Sequence, residues 1–130
     1  MTVVMSSRWR ALLSLGLILA GAVIAVVSLY PDNGLELPWG DFEGDDLLLH
    51  GVAYGVLVIL GGMLWRRLRW VAVAVLVCST LLEGLQYFVP GREVHLSDLA
   101  ANVIGVFAGL AIVALWRSQQ AVPELDDKGL

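Results

Sequence analysis

The sequence predicts an all-α protein, a four-helix transmembrane bundle with both termini in the cytoplasm. Of the 130 residues, 58% are hydrophobic and 15% are charged, well below the roughly 25% charged residues of soluble domains. The hydrophobic residues form four long runs, and the basic residues cluster on one side of the resulting topology. No basic stripe is interleaved with aromatic residues, which disfavours nucleic acid as a partner. Cys78 is the only cysteine, so an internal disulfide and a cysteine-rich zinc site are excluded.

The first run, residues 11–30, contains no charged residue. Its 20 residues rise about 1.5 Å each and so cover the roughly 30 Å hydrocarbon core. A cleaved signal peptide is the alternative, because basic residues precede the run. The length of the run argues against cleavage.

Three further spans are predicted at 47–65, 70–89 and 99–116. The four-residue connection between the second and third spans requires an antiparallel helical hairpin. Together the spans form one membrane domain over residues 11–116. The flanking segments, 1–10 and 117–130, are predicted to be a cytoplasmic N-terminus and a disordered cytoplasmic tail.

The distribution of basic residues predicts the orientation. Seven of the eight Lys and Arg residues lie on the side of the termini and the short connection, and only Arg92 lies on the other side. The positive-inside rule places the side rich in basic residues in the cytoplasm. All five tryptophans lie at or just beyond predicted span ends, where amphipathic rings are most stable.

Small residues at four-residue spacing predict close helix packing. They permit backbones to approach within the chain and are also a possible surface for oligomerisation. The pairs are Gly16 with Ala20, Gly51 with Gly55, and Gly105 with Gly109.

Polar residues inside the spans share helical faces. Their spacing and the rise per residue place the deeper ones at a similar level, about 5 to 9 Å below the outer span ends. The sequence therefore predicts a polar chamber open to the extracytoplasmic side. The candidate ligand-binding residues are Asp46, His50, Tyr54, Glu83, Gln86, Arg92, Asp98 and Asn102.

Each of these residues also has a plain structural interpretation. A buried acid such as Glu83 costs up to about 2.5 to 3.5 kcal/mol at a helix centre, but a neutral acid hydrogen-bonded across helices avoids part of this cost. Asp46 and Asp98 suit helix N-termini. In the structural interpretation His50 hydrogen-bonds a tyrosine or a carbonyl, and Arg92 contacts lipid phosphates.

The order of the polar motifs resembles the VanZ-like family of bacterial membrane proteins. The resemblance extends over residues 46–109 and implies a multi-pass protein of the bacterial plasma membrane. It also implies a relation to the accessory factor for low-level resistance to teicoplanin-type glycopeptides, without a settled biochemical activity. Leu47 departs from the family, which usually has a lysine there. The matching motifs are Asp46-x-x-x-His50-x-x-x-Tyr54, Glu83-x-x-Gln86, Pro90-Gly91-Arg92 and Asp98-x-x-x-Asn102-x-x-Gly105-x-x-x-Gly109.

The leading hypothesis is a binding site for an envelope lipid head group or a lipid-linked wall precursor. Arg92 is expected to contact phosphate or carboxylate at the mouth of the site. Gln86 and Asn102 are expected to supply directional hydrogen bonds, while Glu83 and His50 set the charge of the pocket. The predicted partners are membrane lipids and such a precursor.

Three other classes of function remain open. In a membrane-embedded hydrolase or transferase, His50 with Glu83, Asp46 and Asp98 would form an acid/base pair or ligate a divalent cation, although no HExxH-like spacing fixes such ligands. A proton-coupled transporter would use Glu83, and a structural partner protein would use none of these groups. The sequence predicts no cofactor and assigns no metal ligand.

Overall fold

The computed structural model describes residues 5–31 and 45–121. Within these ranges the chain forms helices and no strand, and each helix is long and apolar enough to cross a membrane. This confirms the predicted all-α bundle, whereas the cytoplasmic placement of the termini stays a prediction. The helices are α1 (Ser7–Leu29), α2 (Asp45–Leu64), α3 (Leu68–Gln86) and α4 (Leu96–Gln120).

The helix ends differ from the predicted span ends for local reasons. Helix α3 ends at Gln86 because the chain turns there, with the Val89 amide donating to the Gln86 carbonyl at 2.9 Å and Gly91 at a positive φ of 79°. Helix α4 begins at Leu96, so Asp98 lies in its first turn and His95 holds the N-cap position. Asp98 is therefore placed to complement the helix dipole rather than to cap the helix.

The C-terminal end of α4 extends further than its predicted span. It continues to Gln120 and so includes the first residues of the segment predicted as a tail. The rest of that segment, 122–130, and most of the first outer loop, 32–44, lie outside the described residues.

Helices α2 and α4 form the tightest contact of the bundle. A Cβ on Gly105 would meet the backbone carbonyl of Gly51, and one on Gly109 would lie 2.7 Å from the carbonyl oxygen of Gly55. At both positions a Cβ would overlap the α2 backbone, so glycine is required on α4. The predicted Gly-x-x-x-Gly pairs thus pack against each other within one chain.

Arg117 stabilises the same helix pair at its other end. Its guanidinium donates to the carbonyls of Gly62, Trp65 and Arg66 at 2.6, 2.8 and 2.9 Å. These carbonyls belong to the last turn of α2 and the residues after it, where helical acceptors lack backbone partners. Arg117, one of the basic residues on the predicted cytoplasmic side, therefore caps α2.

Helix α1 lies at the edge of the bundle against α2 and α3. Ser28 is its only buried residue, and much of its apolar surface is exposed, as expected for a helix that faces lipid. The buried apolar core lies between the other helices and includes Tyr54, Val58 and Val106.

We expect Gly105→Ala to lower the stability of the bundle by roughly 1 to 3 kcal/mol, because the added methyl group overlaps the α2 backbone. Gly84→Ala is the matched control, since a Cβ at Gly84 meets nothing within 4 Å and alanine is the better helix former. The measurement is the thermal unfolding midpoint in detergent micelles. Equal midpoints for the two variants would contradict the α2–α4 contact.

Candidate functional site

Three helices bring polar side chains together at one end of the bundle. At this end α2 begins, α3 ends and α4 begins, so His50, Glu83 and Asn102 lie at the same level. Glu83 is 5% exposed and Asn102 is completely buried, while His50 is partly exposed. The predicted convergence of these three residues is thus present in the structure.

Asn102 connects the other two side chains. Its amide nitrogen donates to Glu83 Oε1 at 3.2 Å, and its carbonyl oxygen lies 3.1 Å from His50 Nδ1. Since this oxygen can only accept, Nδ1 carries the proton in this arrangement. His50 Nδ1 also lies 3.7 Å from Glu83 Oε1. The result is a hydrogen-bonded chain across α2, α4 and α3.

Asp98 completes a group of potential ligands. It is 9% exposed, and Ser97 donates a hydroxyl hydrogen bond to its Oδ1 at 3.4 Å. His50, Glu83 and Asp98 each offer one ligand atom, and these atoms all lie within 4.8 Å of one another. We call His50, Glu83, Asp98 and Asn102 the polar cluster. Its chemistry suits hydrogen bonding to hydroxyl groups, proton exchange, or binding of a cation.

Two further candidates lie beside the cluster. Tyr54 is 2% exposed and lies next to the Ser28 side chain and close to Glu83. Gln86 is 3% exposed and lies three residues after Glu83, on the same face of α3. Ser28 was not predicted as a site residue, although a polar residue near the outer end of an otherwise apolar span was the available signal.

Arg92 contacts the last turn of α1, which the sequence pattern did not predict. Its Nε and Nη2 donate to the carbonyls of Tyr30 and Val27 at 3.1 and 2.8 Å, which caps the C-terminal end of α1. These two bonds fix the guanidinium on α1. Asp46 belongs to α2, but its side chain lies outside what the structure describes, so its predicted role stays a prediction.

A separate groove of about 1150 Å³ lies between α1, α2 and α3. Trp65, Arg66 and Trp70 lie at the end where α2 meets α3, and the groove reaches Tyr54. The rest of its lining is mainly aliphatic, which suits lipid chains and distinguishes the groove from the polar cluster.

The part of the chain that builds this site matches a known protein family. The family model described as VanZ/LLP1 matches residues 47–117, which is more than half of the chain. This chain belongs to the VanZ/LLP1 family. The match confirms the resemblance found in the sequence. No curated protein and no solved structure matches the chain.

The VanZ/LLP1 region includes the structural features on which the site depends. It contains the polar cluster, both glycine pairs and Arg117, whereas α1 precedes it. The contacts of Ser28 with Tyr54, and of Arg92 with the α1 carbonyls, therefore join a helix outside the family match to the family region.

We expect Arg92→Gln to loosen the last turn of α1, because two charge-assisted hydrogen bonds to its carbonyls are lost. Hydrogen–deuterium exchange of the backbone amides of 27–30 should become several-fold faster, in line with a loss of roughly 1 kcal/mol. Arg69→Gln is the control, since Arg69 lies over Trp70 at the opposite end. Unchanged exchange in Arg92→Gln would refute the capping role.

Proposed function

We propose that this VanZ/LLP1 protein binds, at the polar cluster, the head group of an envelope lipid or a lipid-linked wall precursor in the bacterial plasma membrane. The observation that carries the proposal is the hydrogen-bonded chain from His50 through Asn102 to Glu83. Side chains from three different helices meet there, in a part of the bundle that the predicted topology places toward the outside.

The cost of burying these groups supports a binding role. Polar and ionisable residues in membrane spans are expensive to insert and mark functional pathways by default. Packing alone does not require them, because the glycine contacts already hold α2 against α4. Carboxylate, imidazole and amide groups at hydrogen-bonding distance suit the hydroxyl and amide groups of a saccharide or peptide head group.

Access to the cluster is consistent with a head group entering at its edge. The His50 side chain is 14% exposed and the Glu83 side chain 7%, so His50 forms the more open part of the cluster. The head group of a lipid whose acyl or prenyl chains lie in the bilayer would contact His50 first and would reach Glu83 only deeper in the cluster.

Altered exposure of a lipid-linked precursor would change the response to antibiotics that target the envelope. The family resemblance makes teicoplanin-type glycopeptides the first class to test. We therefore extend the proposal to glycopeptide susceptibility, with the polar cluster as the part of the protein responsible.

Catalysis on the bound head group is a second candidate. The 3.7 Å separation of His50 Nδ1 and Glu83 Oε1 supports it, because an imidazole beside a carboxylate is a common acid/base pair. A hydrolase or transferase would release or modify the head group of a supplied lipid, whereas a binding protein would return the lipid unchanged.

We expect Glu83→Gln and His50→Ala to weaken retention of a polyprenyl-diphosphate-linked disaccharide by about tenfold or more, because each removes a side chain that would hydrogen-bond the saccharide hydroxyls. Native mass spectrometry of the full chain measures this retention, with polyprenyl phosphate, which lacks the saccharide, as the comparison lipid. In cells, both variants should lose any effect of the wild type on teicoplanin susceptibility at equal protein level.

His95→Ala is the matched control, because His95 is also paired with a glutamate, Glu93, at 3.5 Å, but on the exposed surface. It should behave like the wild type in both assays. If the cluster variants retain the lipid and the susceptibility of the wild type, the cluster is not the binding site.

A further inference from the structure

We propose that His50, Glu83 and Asp98 bind a divalent transition-metal ion, best matched by Zn²⁺, and that the ion binds the phosphate of the head group. The second part rests on the proposed function. The ion site itself depends only on these three side chains.

The geometry of the three ligands fits one ion after a small adjustment. Their ligand atoms lie within 4.8 Å of one another. Zinc bonds to imidazole nitrogen and carboxylate oxygen measure about 2.0 to 2.2 Å, so two ligands of a tetrahedral site lie roughly 3.4 Å apart. Side-chain rotations that bring each ligand atom inward by about 1 Å therefore close the site.

Asn102 orients two of the three ligands. It is bonded to His50 Nδ1 through its carbonyl oxygen and to Glu83 Oε1 through its amide nitrogen. Metal sites depend on such outer hydrogen bonds, which fix the orientation of the imidazole and the carboxylate. Because Asn102 is completely buried, it holds this orientation without competition from water.

The charge of the cluster favours a cation. Glu83 and Asp98 place two carboxylates close together in a region of low dielectric constant, where like charges repel strongly unless a cation or a proton is shared. A set of one imidazole and two carboxylates suits Zn²⁺ better than the all-oxygen sets that Mg²⁺ and Ca²⁺ prefer.

Three protein ligands leave the fourth position of a tetrahedral ion open, as in catalytic zinc sites. A phosphate oxygen of the head group would take this position. The ion thus explains how a cluster with two carboxylates accepts an anionic ligand, while Arg92 is bonded to the carbonyls of α1.

The test uses the full chain in detergent, stripped with a chelator and titrated with Zn²⁺ alone against a chromogenic competitor. We expect one ion per chain in the wild type, and at least tenfold weaker binding in His50→Ala, Glu83→Gln and Asp98→Asn. His95→Ala should bind as the wild type does, because its exposed pair with Glu93 lies outside the cluster.

A second measurement uses Co²⁺ in place of Zn²⁺ and needs only the wild-type protein. The wild type should show the intense visible absorption of four-coordinate Co²⁺, and polyprenyl phosphate should shift it. Absence of Zn²⁺ binding by the wild type overturns the proposal, as does equal binding by the three cluster variants.

Lipid retention with and without chelator separates this proposal from the proposed function. If chelator leaves the disaccharide lipid bound and Glu83→Gln still loses it, the cluster binds the head group without an ion. If Zn²⁺ binds at the cluster and no lipid is retained, the ion site stands and the proposed function fails. Retention that disappears with chelator supports both.

Discussion

The contact of two helix backbones through glycine is the constraint on which the rest of the structure depends. Gly51 follows His50 directly, and Gly105 lies three residues after Asn102, so the glycine contact and the polar contact belong to the same stretch of α2 and α4. Typical helix pairs lie about 8 to 10 Å apart. The closer approach seen here lets two short side chains bond directly, with Asn102 Oδ1 at 3.1 Å from His50 Nδ1. A side chain larger than hydrogen at Gly105 would separate the helices and break this bond.

Two arginines that cap helix ends reinforce this pair and attach α1 to the turn between α3 and α4. Arg117 of α4 binds the last carbonyls of α2, and Arg92, from the turn between α3 and α4, binds the last carbonyls of α1. In a bilayer these carbonyls have few other donors. The two arginines therefore satisfy acceptors at opposite ends of the bundle. At the polar cluster the buried polar groups are stabilised in another way, because they hydrogen-bond one another across three helices.

Residue spacing and helix rise were enough to predict the number of helices and the convergence of His50, Glu83 and Asn102. These features depend on the regular geometry of helices, so the spacing of residues along the sequence is enough to predict them. The partner of Arg92 could not be predicted in this way, because a long flexible side chain reaches carbonyls of a helix more than 60 residues earlier in the chain. The position of Asp98 inside the first turn of α4 depended on where the helix begins, and sequence patterns locate helix ends only within a few residues.

Charge limits the ligands that the polar cluster can accept. Glu83 and Asp98 repel a phosphate, and Leu47, which stands where the resemblance leads one to expect a lysine, adds no positive charge beside them. Neutral hydroxyl and amide groups meet no such repulsion. An anionic head group needs a compensating positive charge, and within the cluster His50 is central to both ways of supplying it. A protonated His50 would provide one positive charge near Glu83, whereas a neutral His50 would bind a divalent ion. Because one imidazole cannot do both, the proposed ion and a positively charged His50 exclude each other at this cluster.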